Sequence, residues 1–293
     1  MMPGKMLDKT KTTTKKDDTT PVQEDEKKEF ILVGLNEKLR AMPNHIARSS
    51  LFAPVAKGFR HMHDGTVLVS RSDCRIEYWG KQLNEQHADI VFQLLFQSRL
   101  SMGDSVSFIR SNFLKQIGWG ISGREYERFN RYMKELTSAT FSIVDTTKNV
   151  KIGRTHAFHM LSGFDFDDTT ETYTYKLDPR WVQMFSNREY ALLNWQKRLE
   201  IGAGQNMAKS LQRLFAASSD NPQRYSIDFL KDRAQYTGRM RDFISSLESA
   251  LNKLQELKLI NKWMVGASTR QENQLTIWNN MVFNNCMVIN GGV

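Results

Sequence analysis

Cysteine is almost absent: the 293 residues hold two, Cys74 and Cys286. They form no C-x-x-C pair and no metal-ligand spacing, so neither a zinc module nor a disulfide framework organises the chain. No apolar run approaches the length that spans a bilayer. The N-terminus lacks the apolar core of a secretory signal, and the sequence therefore predicts a cytoplasmic protein with no membrane partner. There is no G-x-x-x-x-G-K-[ST] loop; Gly202-Ala203-Gly204 has neither the lysine nor the spacing, which argues against nucleotide hydrolysis. A G-x-S-x-G nucleophile elbow is missing as well. The expectation is a chain with no catalytic residues, no metal and no cofactor.

What is present is a globular composition with a basic bias. Hydrophobic residues make up 40% and charged residues 25%, with 41 Lys plus Arg against 32 Asp plus Glu, for a net charge of +9. Residues 1–29 balance their lysines and carboxylates, so the excess belongs to the remainder of the chain. A basic excess on a folded body points to a polyanionic partner. Residues 1–29, rich in Thr, Lys and Asp, carry too few apolar side chains to repay ordering and are expected to form a flexible tail.

Periodicity divides the rest. Residues 30–40 read as a short helix or extended arm. Thr66–Ser70 and Arg75–Trp79 flank a polar turn and read as a hairpin. A helix is expected over 82–99, then a strand over Ser105–Ile109 and a brief helix capped by Ser111 that ends near Ile117-Gly118. A longer helix over 123–138 has Tyr126, Phe129, Met133 and Leu136 as its apolar set. Strand-prone runs follow at Thr140–Asp145, Val150–Phe158 and Tyr173–Leu177. Helix, turn, helix and closing strands is the order of a winged helix. The order recurs: helices over 205–217, 226–235 and 239–257, with Phe243, Ile244, Leu247, Ala250, Leu251 and Leu254 inward in the last. Strands over Ile260–Val265 and Leu275–Trp278 then close the second set. The predicted class is α+β, with two tandem winged-helix domains: tail 1–29, arm 30–65, first domain 66–189, second domain 190–293, and a junction near 185–200.

Two helix faces are candidate DNA-contacting surfaces. At about 100° per residue, Arg124, Arg128 and Arg131 share a sector roughly 60° wide opposite the apolar set, flanked by Asn130 and Lys134. Guanidinium groups there suit guanine edges and phosphates; the bland reading is a solvated face with Glu127 and Glu135 paired to Arg131. The later helix presents Arg241, Ser245, Glu248, Ser249 and Asn252, with Arg239 and Arg241 at the end that meets bases in such folds. Lys209, Arg213, Lys231 and Arg233 on neighbouring helices, and Lys151, Arg154 and Arg270 on the expected wings, are candidates for phosphate contact. The six tryptophans read as core or junction residues.

An enzymatic reading attaches to His61-Met62-His63, which has the form of the metal-binding pair of rolling-circle nickases. That chemistry requires a central strand, whereas the flanking Lys57-Gly58-Phe59 and Asp64-Gly65 predict a loop. His156 and His159 are three apart in a strand-like run and face opposite sides of it.

Longer motifs carry a resemblance. Arg40-Ala41-Met42-Pro43-Asn44, with Ala47-Arg48-Ser49 and Leu51-Phe52, resembles the leading segment of the TrfA-type plasmid replication initiators. Gly118-Trp119-Gly120-Ile121-Ser122-Gly123-Arg124-Glu125-Tyr126 is similar to their G-W-S-I-N-G-R-x-Y turn into a recognition helix. Arg75 to Leu83 is similar to their strand-then-helix passage. The resemblance covers residues 40–185 and is carried further mainly by the pattern around Thr237–Leu257. It implies a protein that binds tandem double-stranded DNA repeats (iterons) at a plasmid origin, opens an adjacent AT-rich segment, and recruits the host helicase and initiator. It also implies a monomer on DNA and a homodimer off it. Phe30 to Leu35 departs from the Gln-Leu-x-Leu-Phe element by which relatives dock on the sliding clamp, which leaves that contact open. A repressor built on the same domains, autoregulatory or otherwise, is the alternative reading.

Overall fold

The computed structural model describes residues 35–55, 60–70, 72, 74–145, 158–186, 189–267 and 273–280. The architecture is mixed α/β. The arm begins as strand β1 (Leu39–Pro43), turns through helix α1 (Asn44–Arg48) and continues as β2 (Phe52–Ala53). Next come the hairpin strands β3 (Met62–Leu68) and β4 (Cys74–Lys81), then β5 (Leu83–Asn84), which pairs in parallel with β2. Helix α2 (Glu85–Gln97) starts at a capping box: Asn84 Oδ1 accepts from the His87 backbone N–H at 3.2 Å, and His87 Nδ1 accepts from the Asn84 N–H at 3.3 Å. Two orphan donors of the first turn are thus satisfied.

A strand and two helices follow: β6 (Ser105–Ile109), α3 (Arg110–Gln116) and α4 (Gly123–Ser138). Ser111 lies inside α3, whose N-cap is Ile109 without a side-chain bond, because the chain passes directly from strand to helix. Helix α4 starts where expected, with Ser122 as cap. Its buried residues are Phe129, Tyr132, Met133 and Leu136, while Tyr126 is only half-buried. Contrary to the expectation from sequence, strands β7 (Thr140–Asp145) and β8 (Phe158–His159) do not close a wing over these helices. They join the earlier hairpin in a sheet of order β3-β4-β7-β8. The hairpin that does pair with β6 is β9 (Leu161–Asp167) with β10 (Thr172–Leu177), giving the order β6-β10-β9. Strand β9 was not foreseen; its alternating Phe164, Asp165, Phe166 and Asp167 carry one packed face and one solvent face.

Helix α5 (Arg180–Ser186), strand β11 (Tyr190–Asn194) and helix α6 (Trp195–Ile201) lead onward, and β11 pairs antiparallel with β1. Then come α7 (Asn206–Ala216), β12 (Gln223–Ser226), α8 (Ile227–Arg233), α9 (Met240–Glu256), β13 (Ile260–Ala267) and β14 (Asn273–Asn279). The last three strands form a sheet of order β12-β14-β13.

The two halves repeat one plan. With β7 and β8 set aside as strands of another sheet, α2-β6-α3-α4-β9-β10 and α7-β12-α8-α9-β13-β14 share element order, and their sheets share the order first, third, second strand. The starts of α3 and α8 (110 and 227) and of α4 and α9 (123 and 240) are both 117 residues apart. Each shorter helix ends alike. Gly118 at φ +73° lets the Trp119 N–H reach the Leu114 carbonyl at 2.8 Å, and Gln235 at φ +51° lets the Tyr236 N–H reach the Lys231 carbonyl at 3.1 Å. This six-to-one closure satisfies a late carbonyl and turns the chain sharply. In the second turn a Cβ on Gly238 would sit 2.7 Å from the Tyr236 ring, so no side chain fits there without displacing that ring. The apolar residues form two separate clusters, one drawn from residues 41–217 and one from residues 201–277.

Candidate nucleic-acid interface

The core positions of α4 recur in α9 one residue later than the helix starts: Phe129, Tyr132, Met133 and Leu136 correspond to Leu247, Ala250, Leu251 and Leu254. The outward positions are thereby matched as well. Arg131 and Lys134 stand where α9 has Ser249 and Asn252, and all four are exposed. Arg124 is exposed beside them and Asn130 is half-buried. One unit presents long cations and the other short polar side chains from the same geometric stations.

Arg128 behaves differently from the rest of its stripe. Its guanidinium lies 3.7 Å from the Trp119 ring centroid and pairs with Glu125 at 3.2 Å, with a third of the side chain exposed. It fastens the turn to the helix by cation–π stacking. Arg110 makes a similar contact, 3.8 Å over the Tyr126 ring, and pairs with Glu171 at 2.8 Å. In α9 the residue matching Arg128 is Ser246. The space is open there: a depression of about 500 Å³ bounded by Asn206, Tyr236, Thr237, Ser246 and Ser249. Glu135 does not pair with Arg131; it takes Arg60 at 2.7 Å, Lys81 at 3.3 Å and His87 at 2.8 Å. Burial raises the Glu135 carboxyl pKa, but these donors and charges outweigh it and hold the group well below the carboxylate range. Burial dominates at His87, which is lowered to about 4 and stays neutral although Glu135 opposes the shift.

On the second unit Arg239, Arg241, Ser245, Glu248, Ser249 and Asn252 are exposed, and Lys231 is half-buried. Three of the expected phosphate contacts are corrected by their burial. Arg213 is fully enclosed and Arg233 is 3% exposed; Lys209 is 8% exposed and bonded to Asp89 at 2.6 Å. Their charged ends face the junction between the units, so they do not present a cation to solvent. Lys151, Arg154 and Arg270 lie outside the described residues. The first two fall between β7 and β8, away from the β9–β10 hairpin in the chain, and Arg270 falls between β13 and β14.

His61 directly precedes β3 and His63 lies within it, not in a loop. β3 is an edge strand, however, and His63 packs edge-on against Tyr78 at 5.4 Å. Among the described residues, no three His, Cys, Asp or Glu side chains group as a metal set. His156 lies outside those residues. No helix among them is long and apolar enough to cross a membrane.

Sequence reasoning missed a group of residues that tie the halves together: Glu85, Asp89 and Arg198, all buried. Nothing local signals them, because Arg198 meets its carboxylates 109 and 113 positions away.

The fold has solved counterparts. Domains 2 and 3 of RctB match with a TM-score of 0.54 at 13% identity, covering 81% of this chain and 98% of that one. The Pi initiator protein, solved in complex with iteron DNA, matches with a TM-score of 0.53 at 10% identity, covering 84% and 99%. The class is therefore that of chains sharing the fold of these two proteins. The family is narrower: the family model described as TrfA protein matches residues 5–271, and the chain belongs to the TrfA family. The plasmid replication initiator protein TrfA of Escherichia coli is 24% identical over 168 residues, 55% of this chain. The match spans 43% of that relative's length.

Proposed function

We propose that this chain is a plasmid replication initiator that binds double-stranded iteron repeats through two tandem winged-helix domains, residues 66–189 and 190–293. The carrying observation is the repeated plan: two strand–helix–turn–helix–hairpin units with one sheet order, each exposing a polar or cationic face on its longer helix. Such a helix fits the major groove. Family membership and the likeness to an initiator solved on iteron DNA support the same reading. Arg124, Arg131, Lys134 and Asn130 on α4, with Arg239, Arg241, Ser245, Ser249 and Asn252 on α9, are the proposed contacts. Lys231 is placed for a phosphate.

In this reading the protein acts by binding, without a catalytic step. Opening of an AT-rich segment draws on several bound protomers and on duplex deformation, and the host helicase and initiator are then recruited. The working form is a monomer on DNA with a homodimer off it, in the bacterial cytoplasm. Footprinting on the DNA flanking the gene tests this. Regularly repeated protections about two helical turns apart, with opening beside an AT-rich tract, are expected. A single protected palindrome over the promoter makes the protein a repressor instead.

A further inference from the structure

The junction between the units is held by buried charge. Glu85 and Asp89 sit in the first turns of α2, fully enclosed. Arg198 of α6 reaches both, through Nη2 to Glu85 at 2.8 Å and Nε to Asp89 at 2.6 Å. From α7, Lys209 takes the other Asp89 oxygen at 2.6 Å and Arg213 the other Glu85 oxygen at 2.8 Å. Each carboxylate is thus gripped from two directions.

The cations outnumber these two carboxylates; α7 supplies further acceptors in the Lys209 carbonyl and the Ser210 hydroxyl, and the arm supplies others. Arg213 donates to the carbonyls of Ala47 at 2.8 Å and Phe52 at 2.6 Å. Arg233 of α8 donates to those of Ala47 and Arg48 at 2.9 and 2.8 Å. In the reverse direction Arg48 donates to the Ala217 carbonyl. The arm is also stitched to both units, to the first as Arg40 donates to Gln93 of α2, and to the second as β1 pairs with β11 and as Asn206 and Gln235 donate to the carbonyls of Val55 and Ser50.

An apolar seam tolerates sliding, because burial has no direction. A guanidinium fork on a carboxylate does not, because displacement leaves desolvated charge without a partner. Here the two apolar clusters stay separate: the first takes Ala191, Leu193 and Trp195 of β11 and the start of α6, but of α7 only Ala216, with the capping Ala217 beside it. The direction-dependent contacts are therefore the ones suited to fix how α9 lies relative to α4.

We propose that this charge junction is the ruler of the protein: it locks the two reading helices into one rigid body, and so sets the base-pair spacing at which the two halves of a DNA site are accepted. Glu85, Asp89, Arg198, Lys209 and Arg213 are positioning residues that determine specificity without touching DNA. This rests on the DNA-binding reading above. One inserted base pair displaces the second half by about 3.4 Å along the axis and roughly 34° around it. That is beyond what a rigid reader can follow with hydrogen bonds.

The test is selection of a random-core 40-base-pair duplex library by the full chain, followed by affinity measurements on the winning duplex with one base pair inserted or removed between its two blocks. The wild-type protein is expected to enrich two sequence blocks at one fixed spacing and to lose at least about tenfold in affinity on insertion. Glu85→Gln, which keeps the shape but removes the charge, is expected to enrich the same blocks at several spacings and to shrink the penalty to about threefold or less. Lys209→Met at the rim of the junction, where folding is less at risk, is expected to broaden the spacing by a smaller amount. Misfolding alone lowers the active fraction equally on every duplex and leaves the penalty ratio untouched, so the ratio isolates the ruler. A wild-type protein indifferent to spacing, or folded variants with the wild-type penalty, overturns the proposal while DNA binding stands. No enrichment of any duplex overturns the DNA-binding reading itself, and this inference with it.

Discussion

Arg213 and Arg128 show how much one cation's meaning depends on partners far along the chain. Arg213 is enclosed among the carbonyls of Ala47 and Phe52 and the Glu85 carboxylate. Burial pulls its guanidinium pKa down, and the Glu85 charge answers it. Replacing Arg213 by Met takes one of Glu85's two cations, leaving Arg198, and strips several carbonyls of their donor; it is expected to cost about 3–5 kcal/mol of stability, as removal of one partner of a buried pair does. Urea unfolding at pH 7 checks this; a loss under 1 kcal/mol would mean that water reaches the site. Arg128, stacked on Trp119 and paired with Glu125, is expected to act on DNA only indirectly. Arg131→Ala should weaken specific binding by about 1–3 kcal/mol with no change in melting temperature if it reads a base. Arg128→Ala should lower the melting temperature. Binding and melting curves on both variants separate the two roles, and equal melting points would return Arg128 to the reading face.

His87 gives a pH dependence. Its imidazole is wholly buried and stacked on Tyr132, with Glu135, Arg60 and Lys81 around it, and its pKa is lowered to about 4. In the unfolded chain it titrates near 6.5. The unfolded state therefore binds the extra proton first as pH falls. Stability contributed by neutral His87 is full above pH 6.5 and declines from there toward pH 4, by up to about 3 kcal/mol. The stretch between pH 6.5 and 5 is diagnostic, because ordinary carboxylates are still ionised there. His87→Gln should flatten it in urea titrations; an unchanged slope would assign it to other histidines.

At the scale of elements, α4 and α9 were legible because their apolar residues recur three and four apart over four turns and more, which no strand satisfies. α4 begins at the position expected, with Ser122 as its cap. The elements missed are short: α1, β2, β5, α5, β11, α6 and β12 span two to seven residues, below the window in which periodicity speaks. β9 hid for another reason. Its Asp165 and Asp167 look like a loop until pairing with β10 shows them as the solvent-facing members of an alternating strand. The sequence therefore offers Thr140–Asp145 and Val150–Phe158 alongside Tyr173–Leu177 as closing strands, and only the last, as β10, takes part in the closing hairpin. The candidate site split the same way. Exposed positions on the long helices were readable from the helix period, whereas Lys209, Arg213 and Arg233 were read as surface cations because their acceptors lie across the junction.

At the scale of the molecule, the net +9 hides an uneven field. The β9–β10 hairpin carries Asp165, Asp167, Asp168 and Glu171 and no Lys or Arg from residue 161 to 175. Arg110 pairs with Glu171, but the three aspartates remain exposed. Hydrogen bonds from Thr169 and Thr170 keep Asp167 ionised by lowering its pKa. In the proposed complex this hairpin is the first unit's wing, and with α4 in the major groove a wing lies close to the phosphates. An acidic tip there opposes binding to any sequence, so that affinity must come from the helix contacts. Changing Asp167 and Asp168 together to Asn is expected to raise affinity for unrelated duplex about two- to fivefold at low salt, with the gain vanishing as salt shortens the reach of the field. Binding isotherms on a random-sequence duplex at 50 and at about 300 mM salt, on either side of a roughly 10 Å Debye length, decide this. No gain at the lower salt would place the tip well away from the backbone, with the wing of the second unit, β13–β14, left as the one that meets DNA.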